Sequence, residues 1–253
     1  MSLAMHAPKE KREDGGKKSR YHSPRDIGSQ NLRELVEYTG RGALDERQFV
    51  LLSGRRDAPD VDVFYAGRLE LLKKPAVSIV GTREVTEEGR QRARRLAREL
   101  ARAGVLVVSG LARGVDTAAH LGAIEEGGNT IAVIGTPLDK AYPIENAELQ
   151  EKIYQDHLLL SPFPVGERVF PSNFPKRNRV MAALTDASVI VEASDTSGTL
   201  HQAAECQRLG RWLFIMKSVA ENQELVWPKN FIGKEKVAIL TSTADVLDVI
   251  RRT

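Results

Sequence analysis

From Ala76 onward, short apolar runs and amphipathic stretches take turns along the chain, and few architectures satisfy that alternation. Residues 76–80, 105–108, 130–134, 158–161, 188–192, 213–216 and 237–240 read as strands. Residues 87–103, 115–126, 146–155, 178–184, 200–209 and 244–250 read as helices, the first with Ala93, Leu96, Ala97, Leu100 and Ala101 on one face. Strands this apolar are buried on both sides, so helices must cover the sheet above and below. The expected fold class is α/β, a doubly wound, mostly parallel sheet of Rossmann-like architecture.

Three regions follow from the same pattern. Residues 1–25 mix Lys, Arg, Glu, Asp, Gly and Ser with almost nothing apolar and are expected to form a disordered, solvated tail. Its run Lys17-Lys18-Ser19-Arg20 is suited to touching phosphate. Residues 26–75 are expected to be an N-terminal extension packed on the main domain, which occupies residues 76–253. The extension reads as a helix over 31–38 carrying Leu32, Leu35 and Val36, a strand over 49–52, a turn at Asp57-Ala58-Pro59, and a strand over 63–67. Within the main domain the connection 162–175 is long, and loops of that length are usually functional.

Composition removes several classes of function. The 253 residues carry 37 Lys and Arg against 34 Asp and Glu, a formal +3 that permits an anionic partner without requiring one. Cys206 is the single cysteine, so neither an intrachain disulfide nor a thiolate-rich zinc site can be built. No apolar run approaches the roughly 20 residues of a membrane span, and the N-terminus lacks the apolar core of a signal peptide. A soluble, cytoplasmic protein is expected.

Ligands of an open parallel sheet sit beyond the carboxyl ends of its strands. There the sequence repeats one theme: Gly81-Thr82-Arg83, Ser109-Gly110 followed by Arg113-Gly114, Gly135-Thr136, and Ser197-Gly198-Thr199. Glycine lets backbone approach a ligand, the hydroxyl caps or donates, and free N–H groups at helix starts favour anions. Four such loops on one edge, two of them with arginine, predict a phosphate-binding edge. Phe174-Pro175-Lys176-Arg177-Asn178-Arg179 adds three cations at a helix start, where they oppose the dipole unless they hold an anion. Arg177 and Arg179 lie two apart and cannot share a helix face, so only one is expected to meet the ligand.

Other groups receive plainer roles. Arg90, Arg92, Arg94, Arg95, Arg98 and Arg102 point round their helix and read as its solvated face. Asp116 and His120 share a face, but without a third ligand they read as a local hydrogen-bonded pair and not as a metal site. Asp116 is also suited to holding the amides of the 109–110 turn. Glu192 is either a loop anchor or a catalytic acid, and Cys206 reads as packing. Gly81-Thr82-Arg83-Glu84 is neither G-x-G-x-x-G nor a Walker A loop, so no nicotinamide, ATP or metal cofactor is expected.

Taken in order, several segments closely resemble the motifs of the DprA/Smf (DNA-processing protein A) family. They are Ser78-Ile79-Val80-Gly81-Thr82-Arg83, the run from Ser109 to His120, Ile131 to Asp139, Tyr142-Pro143 with Glu145-Asn146, Phe174 to Arg179, and Glu192-Ala193 with Ser197-Gly198-Thr199-Leu200. That resemblance implies a non-enzymatic, homodimeric protein that holds single-stranded DNA in a basic pocket and hands it to the recombinase RecA, as in natural transformation. By motif it assigns Gly81, Thr82, Arg83, Ser109, Gly110, Arg113, Gly114, Lys176, Arg177, Asn178, Arg179, Ser197, Gly198 and Thr199 to DNA or phosphate. Phe170 and Phe174 are the aromatics placed to stack on bases. Many members continue into a C-terminal winged helix, for which this chain leaves no room, so a compact member is implied.

A rival reading is a nucleotide-binding or nucleoside-monophosphate-hydrolysing protein similar to the LOG phosphoribohydrolases, whose P-G-G-x-G-T-x-x-E pattern supplies a catalytic glutamate. Here Thr196-Ser197-Gly198-Thr199-Leu200-His201-Gln202 puts an amide at that position, and an amide cannot replace a carboxylate as acid or base.

Overall fold

The structure, a computed structural model, describes residues 21–41 and 61–251. Its strands are β1 (Gly28–Asn31), β2 (Asp62–Gly67), β3 (Ala76–Val80), β4 (Leu106–Ser109), β5 (Thr130–Val133), β6 (Leu158–Ser161), β7 (Ala187–Ile190), β8 (Trp212–Met216) and β9 (Val237–Leu240). They form one sheet in the order β1-β2-β6-β5-β4-β3-β7-β8-β9. The seven strands from β3 onward are mutually parallel, in keeping with their mainly apolar character, which Ser78 and Ser188 interrupt while hydrogen-bonding to each other.

Strand alternation divides the core into two layers. In β3, Ala76 and Val80 face one layer, while Val77 and Ile79 face the other. The helices α2 (Glu87–Arg102), α3 (Val115–Glu125) and α8 (Thr243–Ile250) cover the second layer through Leu96, Leu100, Ala119, Val246 and their neighbours. The first layer lies under α1 (Leu32–Thr39), α5 (Asn173–Ala183), α6 (Thr199–Arg208) and the short α7 (Lys217–Ala220). The helix α4 (Ala147–Asp156) packs Ile153 into a third cluster with Leu111, Ile134 and Leu159. Exposed ion pairs line α2, among them Arg94–Glu125, Arg95–Glu99 and Arg102–Glu126, so its arginines are the solvated face expected of them. Pairs of that kind contribute under about 1 kcal/mol each.

The N-terminal extension enlarges the sheet and, through α1, also covers part of its first layer. β2 pairs antiparallel with β6, and β1 pairs antiparallel with β2. Arg41, just beyond α1, donates to Asp186 Oδ1 at 2.8 Å and to the carbonyls of Leu72 and Lys74, fastening the extension beneath β3 and β7. The strand expected over 49–52 and the turn at 57–59 lie outside the described residues.

Two boundaries differ from expectation. Tyr21 and His22, expected within the tail, are hydrogen-bonded to the body. The helix expected from 178 begins at Asn173, because Pro175 falls in its first turn, where a missing N–H has no intrahelical partner to lose. The long connection after β6 accordingly ends at Ser172.

Candidate functional site

β3 and β7 are neighbours at the point where the strand order reverses, the place where a doubly wound sheet opens a crevice. The loops that leave them border a cavity of about 720 Å3 lined by Gly81, Thr82, Arg83, Ser197, Gly198 and Thr199. A second lobe of about 470 Å3 adjoins it beneath the connection after β5 and shares Arg83, Tyr142, Phe174 and Arg177. Volumes of this order suit a small ligand or one or two nucleotides' worth of a larger one.

Arg177 stands between the two lobes. The second turn of α5 carries it inward, where it is only 6% exposed. Its guanidinium donates to the Val133 carbonyl at 2.5 Å, while Nε has no hydrogen-bond partner among the described residues. Gly110 makes room for it, since a Cβ there would lie 1.9 Å from Arg177 Nη1. Burial lowers the Arg177 pKa, Asp116 opposes that shift, and Arg83 adds to it. The side chain is therefore a desolvated cation with an unused donor, an arrangement that an anion relieves.

Asp116, also buried, accepts from the Ala112 amide at 3.2 Å and so holds the glycine loop after β4. Burial raises its pKa, and the Arg177 charge acts against the rise. His120 turns to Thr130 Oγ1 at 2.7 Å, so the hydrogen-bonded pair expected between Asp116 and His120 is not formed among the described contacts. Among the described residues no group of three or more His, Cys, Asp or Glu is arranged to hold a metal.

Glu192 is the anchor of the first glycine loop. Its carboxylate accepts from the Thr86 amide at 3.0 Å and the Thr86 hydroxyl at 2.7 Å, and its carbonyl accepts from the Thr82 amide at 2.7 Å. Gly114, at φ +79°, crosses the same loop from the other side; a Cβ there would meet the Thr82 carbonyl oxygen at 2.4 Å. These contacts fix Arg83, whose guanidinium lies 5.5 Å from the Phe174 ring centroid. We expect Glu192→Ala to lower affinity for a phosphate-bearing ligand at this edge about tenfold, or about 1.4 kcal/mol. In an Arg83→Ala background the same change should cost nothing more, because both act through one side chain. An additive loss in that double-mutant cycle would show that Glu192 acts elsewhere.

The remaining sequence-assigned residues divide. Asn178 lines the larger lobe; Gly110 and Arg113 line the smaller, Arg113 in an exposed ion pair with Glu145. Ser109 is fully buried and donates to the Ile79 carbonyl at 2.6 Å, so it braces the sheet and lines neither lobe. Lys176 is exposed and outside both lobes. Arg179 pairs with Glu205 at 3.2 Å instead, in keeping with the two-residue spacing that separates it from Arg177. Phe170 and Phe174 line the larger lobe as expected, with Phe174 seated against Gly135. Tyr142, half exposed and 5.7 Å from Phe174 between ring centroids, is an aromatic the sequence reading passed over. Its Tyr-Pro motif was visible, but nothing in it revealed which ring it would meet.

Residues 44–251 match the profile of the family described as DNA recombination-mediator protein A. The chain belongs to that family. DNA processing protein DprA of Streptococcus pneumoniae is 41% identical over 216 residues, covering 85% of this chain and 75% of the relative. Its X-ray structure matches with a TM-score of 0.71 at 36% identity, over 88% of this chain and 74% of that one. Protein Smf of Synechocystis is 36% identical over 201 residues, 78% of this chain but only 50% of its own length. DNA processing protein A of Helicobacter pylori, whose structure was described for its single-stranded DNA binding mode, matches with a TM-score of 0.71 at 26% identity, over 89% of this chain and 96% of that one. Within this DprA/Smf fold, no helix among the described residues is long and apolar enough to cross a membrane.

Proposed function

We propose that this chain binds single-stranded DNA in the crevice between β3 and β7, with phosphates on Arg83, Arg177 and the amides of the glycine loops. The observation that carries this reading is Arg177, a buried cation with an unused donor, flanked by Tyr142, Phe170 and Phe174. Cations beside exposed aromatic faces suit a strand whose bases are unpaired, and a duplex keeps those faces stacked. Asn178, Ser197, Gly198 and Thr199 border the same crevice and supply neutral donors.

The family relationship extends this reading to a homodimer that delivers its strand to RecA, as in natural transformation. That extension is tested by light scattering of the purified chain and by the rate at which RecA coats an oligonucleotide in its presence. The rival hydrolase reading has little support at the site. Gln202 is buried and its amide donates to Ser188 Oγ at 3.0 Å, and Glu205 is held by Arg179 and Arg208.

The direct test is binding of labelled oligo-dT across a salt series, with the matching duplex and AMP as competitors. Tight binding that weakens with salt and resists duplex is expected. Tyr142→Ala should weaken it by 1–3 kcal/mol, the usual range of about one lost base–aromatic stack. Indifference to oligo-dT, with AMP bound or cleaved, would replace this reading by the nucleotide one.

A further inference from the structure

The loops that follow β4 and β5 meet at the wall of the smaller lobe, and buried contacts fix how they meet. Asn146, buried, donates from Nδ2 to the Leu111 carbonyl and to Thr117 Oγ1, both at 2.9 Å. The Thr117 hydroxyl donates in turn to the Ala112 carbonyl at 2.7 Å. Leu111 and Ala112 lead directly into Arg113, and Asn146 closes the single 3-10 turn Ile144–Asn146 that carries Glu145. Anchoring of both loops thus sets Glu145 against Arg113. Their side chains form an ion pair, Arg113 Nη2 to Glu145 Oε1, and both line the lobe.

The two side chains are 61% and 54% exposed, and an ion pair so open to water is weak. A strand phosphate offers the same guanidinium two oxygens in a bidentate, charge-assisted arrangement. Glu145 therefore occupies Arg113 as a phosphate would, and a ligand that takes Arg113 must displace it.

Charge along the wall limits which ligand succeeds. Among the described residues, the charged side chains of this lobe are Arg83, Arg113 and Arg177 against Glu84 and Glu145. Asp116, buried beside Arg177, adds a third carboxylate, so three cations answer three acids. An internal phosphodiester brings one negative charge, whereas a terminal phosphate brings about 1.5–2 at neutral pH. The extra charge meets Glu84 and Glu145 with no further cation on the described wall to offset it.

We propose that Glu145 is a specificity-determining residue that restricts the smaller lobe to the internal phosphodiesters of a strand. It holds Arg113 until such a phosphate displaces it, and it turns away the dianionic terminal phosphate of a mononucleotide. The inference rests on the crevice being the single-stranded DNA site.

The test uses two competitors against labelled oligo-dT: thymidine 5′-monophosphate and its methyl phosphodiester, which differ in charge and in one methyl group. Wild type is expected to bind the diester more tightly. Glu145→Gln should strengthen the diester about threefold, the scale of one exposed ion pair. Coulomb energy grows with ligand charge, so the monoester should gain about tenfold and the preference should narrow. The salt slope for oligo-dT should steepen by about 0.7, because Arg113 then takes a phosphate without releasing a carboxylate. Oligo-dT binding with an unchanged diester preference and slope in Glu145→Gln would overturn the role of Glu145 and spare the crevice. So would a wild type that prefers the monoester while still binding oligo-dT. If wild type does not bind oligo-dT, the crevice reading falls and this inference falls with it.

Discussion

Arg177→Ala is expected to weaken single-stranded DNA binding about 100-fold, or about 2.7 kcal/mol. Two effects add. The variant loses charge-assisted hydrogen bonds to phosphate, worth about 1.5–3 kcal/mol. It also leaves Asp116, buried beside it, as an uncompensated carboxylate at the mouth of an anion site. Arg177→Lys should recover only part of the affinity, because an ammonium cannot reach the Val133 carbonyl and a phosphate with one planar fork. Adding Asp116→Asn to Arg177→Ala should recover another part by removing the repulsion. Folding stability, read from urea midpoints, should fall as well, because removing one partner of a buried charge pair leaves Asp116 buried and unpaired. Wild-type affinity in Arg177→Ala would remove the residue from the site.

The second large effect is acid sensitivity at His120. This ring is fully buried, and Thr130 fixes its tautomer. The Thr130 hydroxyl gives its proton to the Val107 carbonyl at 2.8 Å and must therefore accept from His120 Nδ1 at 2.7 Å. Among the described residues, Nε2 is left without a proton or a partner. Burial, followed by His157 and Arg177, lowers the His120 pKa from 6.5 to about 3. Because the folded value lies below the unfolded one, stability is complete above pH 6.5 and is lost as pH falls toward 3. In that window the unfolded chain takes a proton that the folded chain refuses, at about 1.4 kcal/mol per pH unit. His157, whose pKa burial also lowers, acts in the same direction. His120→Gln can still donate to Thr130 but cannot titrate. Its urea midpoint should fall less steeply than wild type's between pH 6.5 and pH 5. Parallel losses in the two proteins would assign the acid sensitivity to other groups.

Much of the architecture was legible because burial writes a strong pattern. A strand covered on both faces must be mostly apolar, so residues 76–80, Ser78 apart, or 213–216 admit few other placements. The glycine loops were legible for a related reason: Gly110 and Gly114 sit where any Cβ would strike Arg177 or a carbonyl, and no other residue serves. The start of α5 was not legible, because Pro175 reads as a helix breaker unless it is already known to lie in a first turn. The roles of the cations were legible only in part. Lys176, Arg177 and Arg179 look alike in sequence, yet one is exposed, one is buried over Gly110, and one pairs with Glu205.

The sequence by itself determined the parallel sheet and the edge on which its glycine loops gather, and it raised the expectation of an anionic ligand there. These properties are local or periodic, set by residue type and spacing along one element. Tertiary structure alone decided that the N-terminal extension lengthens the sheet through antiparallel β2, that Tyr142 meets Phe174, and that Tyr21 bonds to the Leu138 carbonyl. Each of those joins residues far apart in the chain, and their pairing depends on how helices and strands pack in three dimensions. A hydroxyl that binds the carbonyl of a residue more than a hundred positions away leaves no periodic trace in either segment.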